Sequence, residues 1–424
     1  MKRIASVLLF GAAALPAMLS AQKITLDKPA GLYDSSKDKE IVFTVDTEGK
    51  NVCADLIKPC GKVEAVLVEP GAKTFKVTAP AVIGWTQLKV RQVDQKGRGI
   101  GRFIHAGALT DPYAIKAGAE DPADFDAFWA AELKKMSAVP MNPELKPVEV
   151  ADKRIKAWTF KLDCGDGNFA TGYLSMPADA KEKSLPAIAQ FRGASTYGLP
   201  KVSTYYAYHS LYVVMSPHPT ECGREPEYYK EYVKSVSGYP KKDADNRDKY
   251  FMKGMILRVV RTLEFMRNRP EWDGKTLVTH GESQGGFQSI VGAALDQNVT
   301  FCLAMVPAMS DHLAYKKGHI NGWPKVLTMK DGKPVDNEFN QKADKVLPYF
   351  DNAIFAKRIK CPIWISTGLL DSTCPPAGVL AVYNNLPDGI EKHMVIEPLK
   401  GHNAGCAPVV DTLHSIILPP PVEK

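Results

Sequence analysis

The chain has no Cys-x-x-Cys pair, no run of five or more Lys/Arg, no internal repeat and no low-complexity linker. After its first residues it also lacks any stretch of the ~20 apolar residues that a membrane helix needs. The first absence removes the common zinc frameworks, and the second argues against a nucleic-acid partner. The third and fourth exclude solenoids and tethered modules, and the last excludes a later membrane span. What is present is ordinary globular material: 424 residues, 45% hydrophobic and 24% charged, with a net charge of +7. Such a composition fits neither a disordered nor a disulfide-dense chain, and the length suits two or three domains.

Met1-Lys2-Arg3 is a short basic region, residues 4–19 are almost continuously apolar, and Ser20-Ala21 follow. This three-part layout predicts a secretory signal peptide over residues 1–21 and export to the periplasm or the exterior. At about sixteen residues the run is short for a membrane anchor. No cysteine precedes Cys53, so no lipid attachment beside the cut site is expected. Export would expose the eight cysteines to an oxidising compartment. Cys53 with Cys60 is the first candidate disulfide, and Cys374 with Cys406 a second; the others read as small buried hydrophobes.

Two textures follow. Residues 22–107 favour strands: Ile41, Phe43 and Val45 alternate with polar neighbours, and turn signals fall at Glu69-Pro70-Gly71 and Gln95-Lys96-Gly97. Six or seven short strands there suit a small immunoglobulin-like β-sandwich, with no catalytic constellation of its own. A spacer, a sheet packed on an enzyme and a sugar-binding module all remain open roles for it. Residues 108–424 read differently. Phe125, Phe128 and Trp129 share one face of a helix, and Met252, Met255, Ile256, Val259, Leu263 and Met266 form an apolar helical stripe. Strand-like runs at 186–191, 212–216, 276–280, 301–306, 362–366 and 393–396 alternate with helical ones, predicting an α/β fold with a mostly parallel sheet covered on both faces. A polar, Gly- and Pro-bearing excursion over residues 313–349 interrupts that rhythm, as a cover over the site or a plain surface insertion.

Gly281-Glu282-Ser283-Gln284-Gly285 is the one G-x-S-x-G of the chain. A strand-like run leads into it and a helical run follows, the layout a nucleophile elbow requires. Ser283 is therefore the candidate nucleophile. A serine hydroxyl needs a base held by a third group, and in such folds the order is serine, acid, histidine, each past a later strand. Asp371 and His402 meet that condition. His280 reads as packed rather than catalytic, and Asp311, one strand early, as a helix cap or pocket-wall residue. The N–H groups of Gln284 and of Ala194, with Gly193 as neighbour, are the candidate oxyanion donors. Arg192 reads as a loop-fixing charge without a catalytic role.

With these residues placed, the stretch 112–402 resembles the acetyl xylan esterase and cephalosporin C deacetylase family, the seventh family of carbohydrate esterases, within the α/β-hydrolase superfamily. The resemblance is carried by Asp124-Phe125-Asp126-Ala127-Phe128-Trp129, by Ser283-Gln284-Gly285-Gly286, by Tyr349-Phe350-Asp351 through Lys360-Cys361-Pro362 to Gly368-Leu369-Leu370-Asp371, and by Cys374-Pro375-Pro376. It implies removal of acetyl groups from acetylated sugars, with no metal or organic cofactor, and the same three residues in the triad. Two departures leave the sugar and the oligomer open: Ser216 to Gly223 stand where the family has an Arg-Gly-Gln segment, and Asn403 follows the histidine where a glutamate is usual. A homo-oligomer remains a possible assembly; nucleic acid and a stable membrane span are not expected. The rival readings are a peptidase or non-sugar esterase, and an inactive carbohydrate-binding protein.

Overall fold

The computed structural model describes residues 7–8, 23–196, 198–199 and 201–417. The expected signal segment lies outside them apart from Val7–Leu8.

Alternation of apolar residues puts Ile41, Phe43 and Val45 on one face of the strand Glu40–Asp46, each 0% exposed. This strand pairs antiparallel with Lys23–Leu26 and Thr74–Pro80 to form a three-stranded sheet. A second sheet runs in the order Leu32–Tyr33, Gly99–Thr110, Gly84–Val93, Val52–Ile57, Val63–Val66. Leu88, Val90, Ala106 and Ala108 of this sheet close a common core over Ile41, Phe43 and Val45. The result is a two-sheet sandwich with eight strands, one or two more than expected.

The large sheet runs from Val7–Leu8 through Lys392–Glu397, Ile363–Gly368, Phe301–Met305, Trp272–Glu282, Leu185–Phe191 and Leu211–Met215 to Phe169–Pro177, Ile155–Asp163 and Glu144–Val148. Pairing is parallel as far as Leu211–Met215 and antiparallel beyond it. The expected parallel core is present. The three edge strands instead form a meander with no helix between them, because short turns join them and only parallel neighbours need a crossover. Helix Phe251–Arg267 buries Met252, Met255, Ile256, Val259, Leu263 and Met266 at 0% exposure, as their spacing predicts. Helix Phe125–Ser137 buries Phe125 and Trp129 against Tyr349, Phe350 and Phe355 through ring contacts. The Trp129 indole also donates to Tyr349 O at 3.1 Å. Among the described residues no helix is long and apolar enough to cross a membrane.

The sandwich sits against the large sheet's loops. On the strand Gly84–Val93, Leu88 and Val90 face the sandwich core while Trp85 belongs to the larger core. The Trp85 indole donates to Leu369 O at 2.9 Å. Gly107 makes this approach possible: a Cβ there would lie 1.9 Å from the same carbonyl oxygen. The excursion after Phe301–Met305 carries a short hairpin, Met329–Lys330 with Lys333–Pro334, and the helix Glu338–Val346, capped by the Asn337 side chain. Its residue Ile320 lies against the sandwich at Gly61, and His319 against Gly84.

Cys53 and Cys60 are free thiols, both exposed, which corrects the first disulfide expectation. Cys53 sits near the start of the extended strand Val52–Ile57 and Cys60 in the turn beyond its end. Four strand residues at ~3.3 Å each already exceed the reach of a disulfide. Cys374 is a free, buried thiol; the Cys406 side chain lies outside the described residues.

Candidate active site

The strand Trp272–Glu282 runs directly into Ser283, and the helix Gln284–Leu295 starts at the next residue. Ser283 holds φ 59° and ψ −120°, a conformation that costs an L residue about 1–3 kcal/mol and persists only where its surroundings enforce it. Here they do. The Ser283 N–H donates to Met305 O at 2.9 Å, and its carbonyl accepts from Ala308 at 2.9 Å and Phe287 at 3.1 Å. Gly281 and Gly285 cannot carry side chains. A Cβ at Gly281 would lie 2.4 Å from the Gly285 carbonyl carbon, and one at Gly285 would lie 2.2 Å from Phe191 O.

Asp371 and His402 arrive from the two strands beyond Phe301–Met305 in the sheet, Ile363–Gly368 and Lys392–Glu397. Leu369 donates to Glu397 O at 3.1 Å and Leu370 to Lys400 O at 2.9 Å, so the two loops are bonded to each other before either meets the serine. His402 Nδ1 stands 2.8 Å from Asp371 Oδ2, and Nε2 stands 2.8 Å from Ser283 Oγ. With Nδ1 protonated toward the carboxylate, Nε2 accepts the serine O–H. The other carboxylate oxygen accepts from Thr373 and Cys374 N–H groups at 2.8 and 2.9 Å, which fixes its plane. The three residues singled out in the sequence thus meet, 119 and 31 positions apart along the chain.

Burial opposes charge on the His402 ring, but the hydrogen bond and charge of Asp371, with the charge of Glu282, outweigh it and raise the imidazole above its ordinary value. Glu282 carries a role that the sequence reading did not assign. Asp371, Cys374 and His402 offer three ligand atoms within 4.8 Å of one another. Burial holds the Cys374 thiol well above its ordinary value, hence protonated, and a protonated thiol is a poor metal ligand.

The turn after Leu185–Phe191 packs onto the elbow. Gln288, one helical turn beyond Gln284, donates its amide to Arg192 O at 3.0 Å and to Gln284 O at 3.1 Å. Gly193 and Ala194 then line a cavity of about 450 Å³ with Ser283, His402, Phe191, Met305 and Trp323. Ala194 thus faces Ser283 across this space, and Gln284, the first residue of the helix, follows that serine directly in the chain. The Arg192 guanidinium is exposed and makes no ion pair among the described residues; its backbone carbonyl, rather than its charge, ties the turn down. Gln284 is itself 0% exposed, with Tyr239 O–H donating to its Oε1 at 2.7 Å. Tyr239 stacks edge-on against His218 at 4.5 Å, so the departing stretch 216–223 buttresses the elbow from behind. Neither contact has a local signal in the sequence.

His280 is buried as expected, 3% exposed, and burial pushes its ring down to about 4, so it stays neutral. Asp311 is neither a helix cap nor a wall of this cavity, which corrects that expectation. Its carboxylate accepts Gly118 N–H at 2.9 Å, while its own N–H donates to Asp351 at 2.9 Å. Burial and the charge of Asp351 raise Asp311 well above the usual carboxylate range. The pair stitches the excursion to the segment before the first helix because each carboxylate satisfies backbone donors that burial would otherwise strand.

A parallel sheet with a serine elbow, and with a carboxylate and an imidazole on its later loops, defines an α/β-hydrolase. The chain matches the acetyl xylan esterase (AXE1) family over residues 108–415, and it belongs to that family. It is 31% identical to acetyl esterase Axe7A of Xylanibacter ruminicola over 347 residues, covering 78% of this chain and 76% of that one. In fold it is similar to the acetyl xylan esterase from Paenibacillus sp. R4, at 20% identity and TM-score 0.59 over 72% of this chain and 97% of the other. Acetyl xylan esterase 1 from Thermoanaerobacterium sp. JW/SL YS485 gives 23% identity and TM-score 0.57, over 72% and 96%. The protein is accordingly a carboxylic ester hydrolase, and its family supports acetyl esters as the bond class.

Proposed function

We propose that the protein is an exported serine esterase that deacetylates saccharides of the xylan type, with Ser283, His402 and Asp371 as its triad. The observation that carries this reading is the unbroken run of hydrogen bonds, 2.8 Å and 2.8 Å, from hydroxyl to imidazole to carboxylate. Ser283 Oγ attacks the acetyl carbonyl as His402 Nε2 takes its proton, and Asp371 steadies the imidazolium. The negative charge that develops on the carbonyl oxygen is held by the N–H groups of Gln284 and Ala194, beside the positive end of the helix dipole. Collapse expels the sugar alkoxide, which leaves with the proton from Nε2. Water, deprotonated by the same nitrogen, then attacks the acetyl-serine and releases acetate.

Phe191, Met305 and Trp323 give the cavity apolar walls suited to a methyl group. The basic and apolar residues 1–19 support export. We read residues 22–107 as an immunoglobulin-like domain and 108–424 as the esterase domain. Acetate release from acetylated xylo-oligosaccharides, set beside cleavage of a peptide panel, tests the leaving group. A fluorophosphonate should label the wild type and spare Ser283→Ala. Peptide cleavage without acetate release would replace this reading with a peptidase.

A further inference from the structure

A second cavity, about 600 Å³, lies where the sandwich meets the excursion, within the ~300–1,000 Å³ usual for ligand sites. Gln87 and Lys89 reach it from the strand Gly84–Val93, on the face opposite Leu88 and Val90. His319, Asn321 and Lys325 reach it from the excursion, and Ser372 from the acid loop. Gln87 is 0% exposed, yet neither atom of its amide has a hydrogen-bond partner, and His319, 3% exposed, has an unpartnered Nδ1. Buried polar groups are normally paired, and an amide with both its donor and its acceptor idle is a costly arrangement unless something polar is received there.

The cavity shares walls with the active site. Ser372 lines one and the adjacent Thr373 the other; Lys325 lines one and Trp323 the other. Lys325 Nζ donates to Ser372 O at 3.2 Å, bracing that shared wall. We infer that this cleft is a subsite for the remote sugar units of a saccharide whose acetylated unit sits at Ser283, with the sandwich supplying half of it. The chemistry fits a sugar chain: the Gln87 amide both donates and accepts, the lysine ammonium groups donate, and Asp331 accepts, as alternating hydroxyls require. Ile57 and Ile320 add apolar surface for the C–H faces of the rings.

The inference rests on the saccharide reading above, and its test separates the two. Acetylated xylose and acetylated xylo-oligosaccharides of up to six units are compared with p-nitrophenyl acetate, for the wild type, Gln87→Leu and Lys89→Ala. Lys89 is only half-buried, so its variant keeps the test alive should Gln87→Leu misfold. For the wild type, KM should fall as the saccharide lengthens. Each variant should raise KM for the longest substrate by about fivefold relative to acetylated xylose, with kcat on that substrate retained. A wild-type KM that is flat with length, or a variant that shifts KM equally for short and long saccharides, overturns the subsite while the deacetylase reading stands. Hydrolysis of p-nitrophenyl acetate with no acetate from any saccharide overturns both.

Discussion

Trp85→Phe probes whether the sandwich holds the acid loop. The indole N–H, on a side chain 2% exposed, donates to Leu369 O at 2.9 Å, two residues before Asp371. Phenylalanine keeps the ring but abandons that carbonyl, which no solvent reaches, and a buried acceptor left unpaired costs about 1–3 kcal/mol. The smaller ring also leaves a void of about 40 Å³, worth about 1 kcal/mol at ~24 cal/mol per Å³. Together these come to about 2–4 kcal/mol, concentrated at the junction of the two cores. Spread over a chain of this length, that should lower the thermal unfolding midpoint by about 2–5 °C. Turnover of p-nitrophenyl acetate should drop as well, since a carboxylate displaced by ~1 Å can cost up to a hundredfold in rate. Unfolding is followed by circular dichroism and kcat by p-nitrophenolate absorbance on the same preparation. If midpoint and kcat both match the wild type, the sandwich does not support the loop and the reasoning is wrong.

Gly285→Ala should lower kcat/KM for p-nitrophenyl acetate at least about a hundredfold, because its Cβ would meet the backbone oxygen of Phe191 at 2.2 Å and the elbow must withdraw from His402; a soluble, folded variant of normal activity would falsify the steric account. Catalysis needs neutral His402, whose pKa stands above its ordinary 6.5, so kcat/KM should rise with pH through an inflection above that value. Glu282→Gln removes one of the charges that raise it, and the inflection should move to lower pH; an upward move, or none, contradicts the assignment. If the acetyl group sits against Phe191, Met305 and Trp323, which line the cavity, p-nitrophenyl acetate should be cleaved faster than the octanoate ester, and the opposite order would rule out a small acyl pocket.

Much of the site was legible from local chemistry. The elbow is legible as a Gly-x-Ser-x-Gly between a strand and a helix, and at Gly281 the steric need is local, since a Cβ there would meet Gly285; at Gly285 the clash is with the distant Phe191. The order of acid and base followed from strands that each announce themselves in a few apolar residues. The alternation at 41, 43 and 45 likewise foretold a sheet with one buried face. These patterns are short-range because backbone sterics and side-chain periodicity act over one turn or a few strand residues.

Other features depended on pairings that no local pattern encodes. Trp85 meets Leu369 across 284 positions, and Gly118 meets Asp311 across 193. The same sequence logic that marked Cys53 and Cys60 as neighbours failed because an extended strand and its turn carry them apart. Gln87 read as one more polar residue of a strand; only the docking of the sandwich on the excursion left its amide buried and idle. Local sequence therefore determined which elements form and which residue types stand at their ends. Which faces of those elements meet was decided by the tertiary structure, because two separately built cores dock according to the shapes of both surfaces.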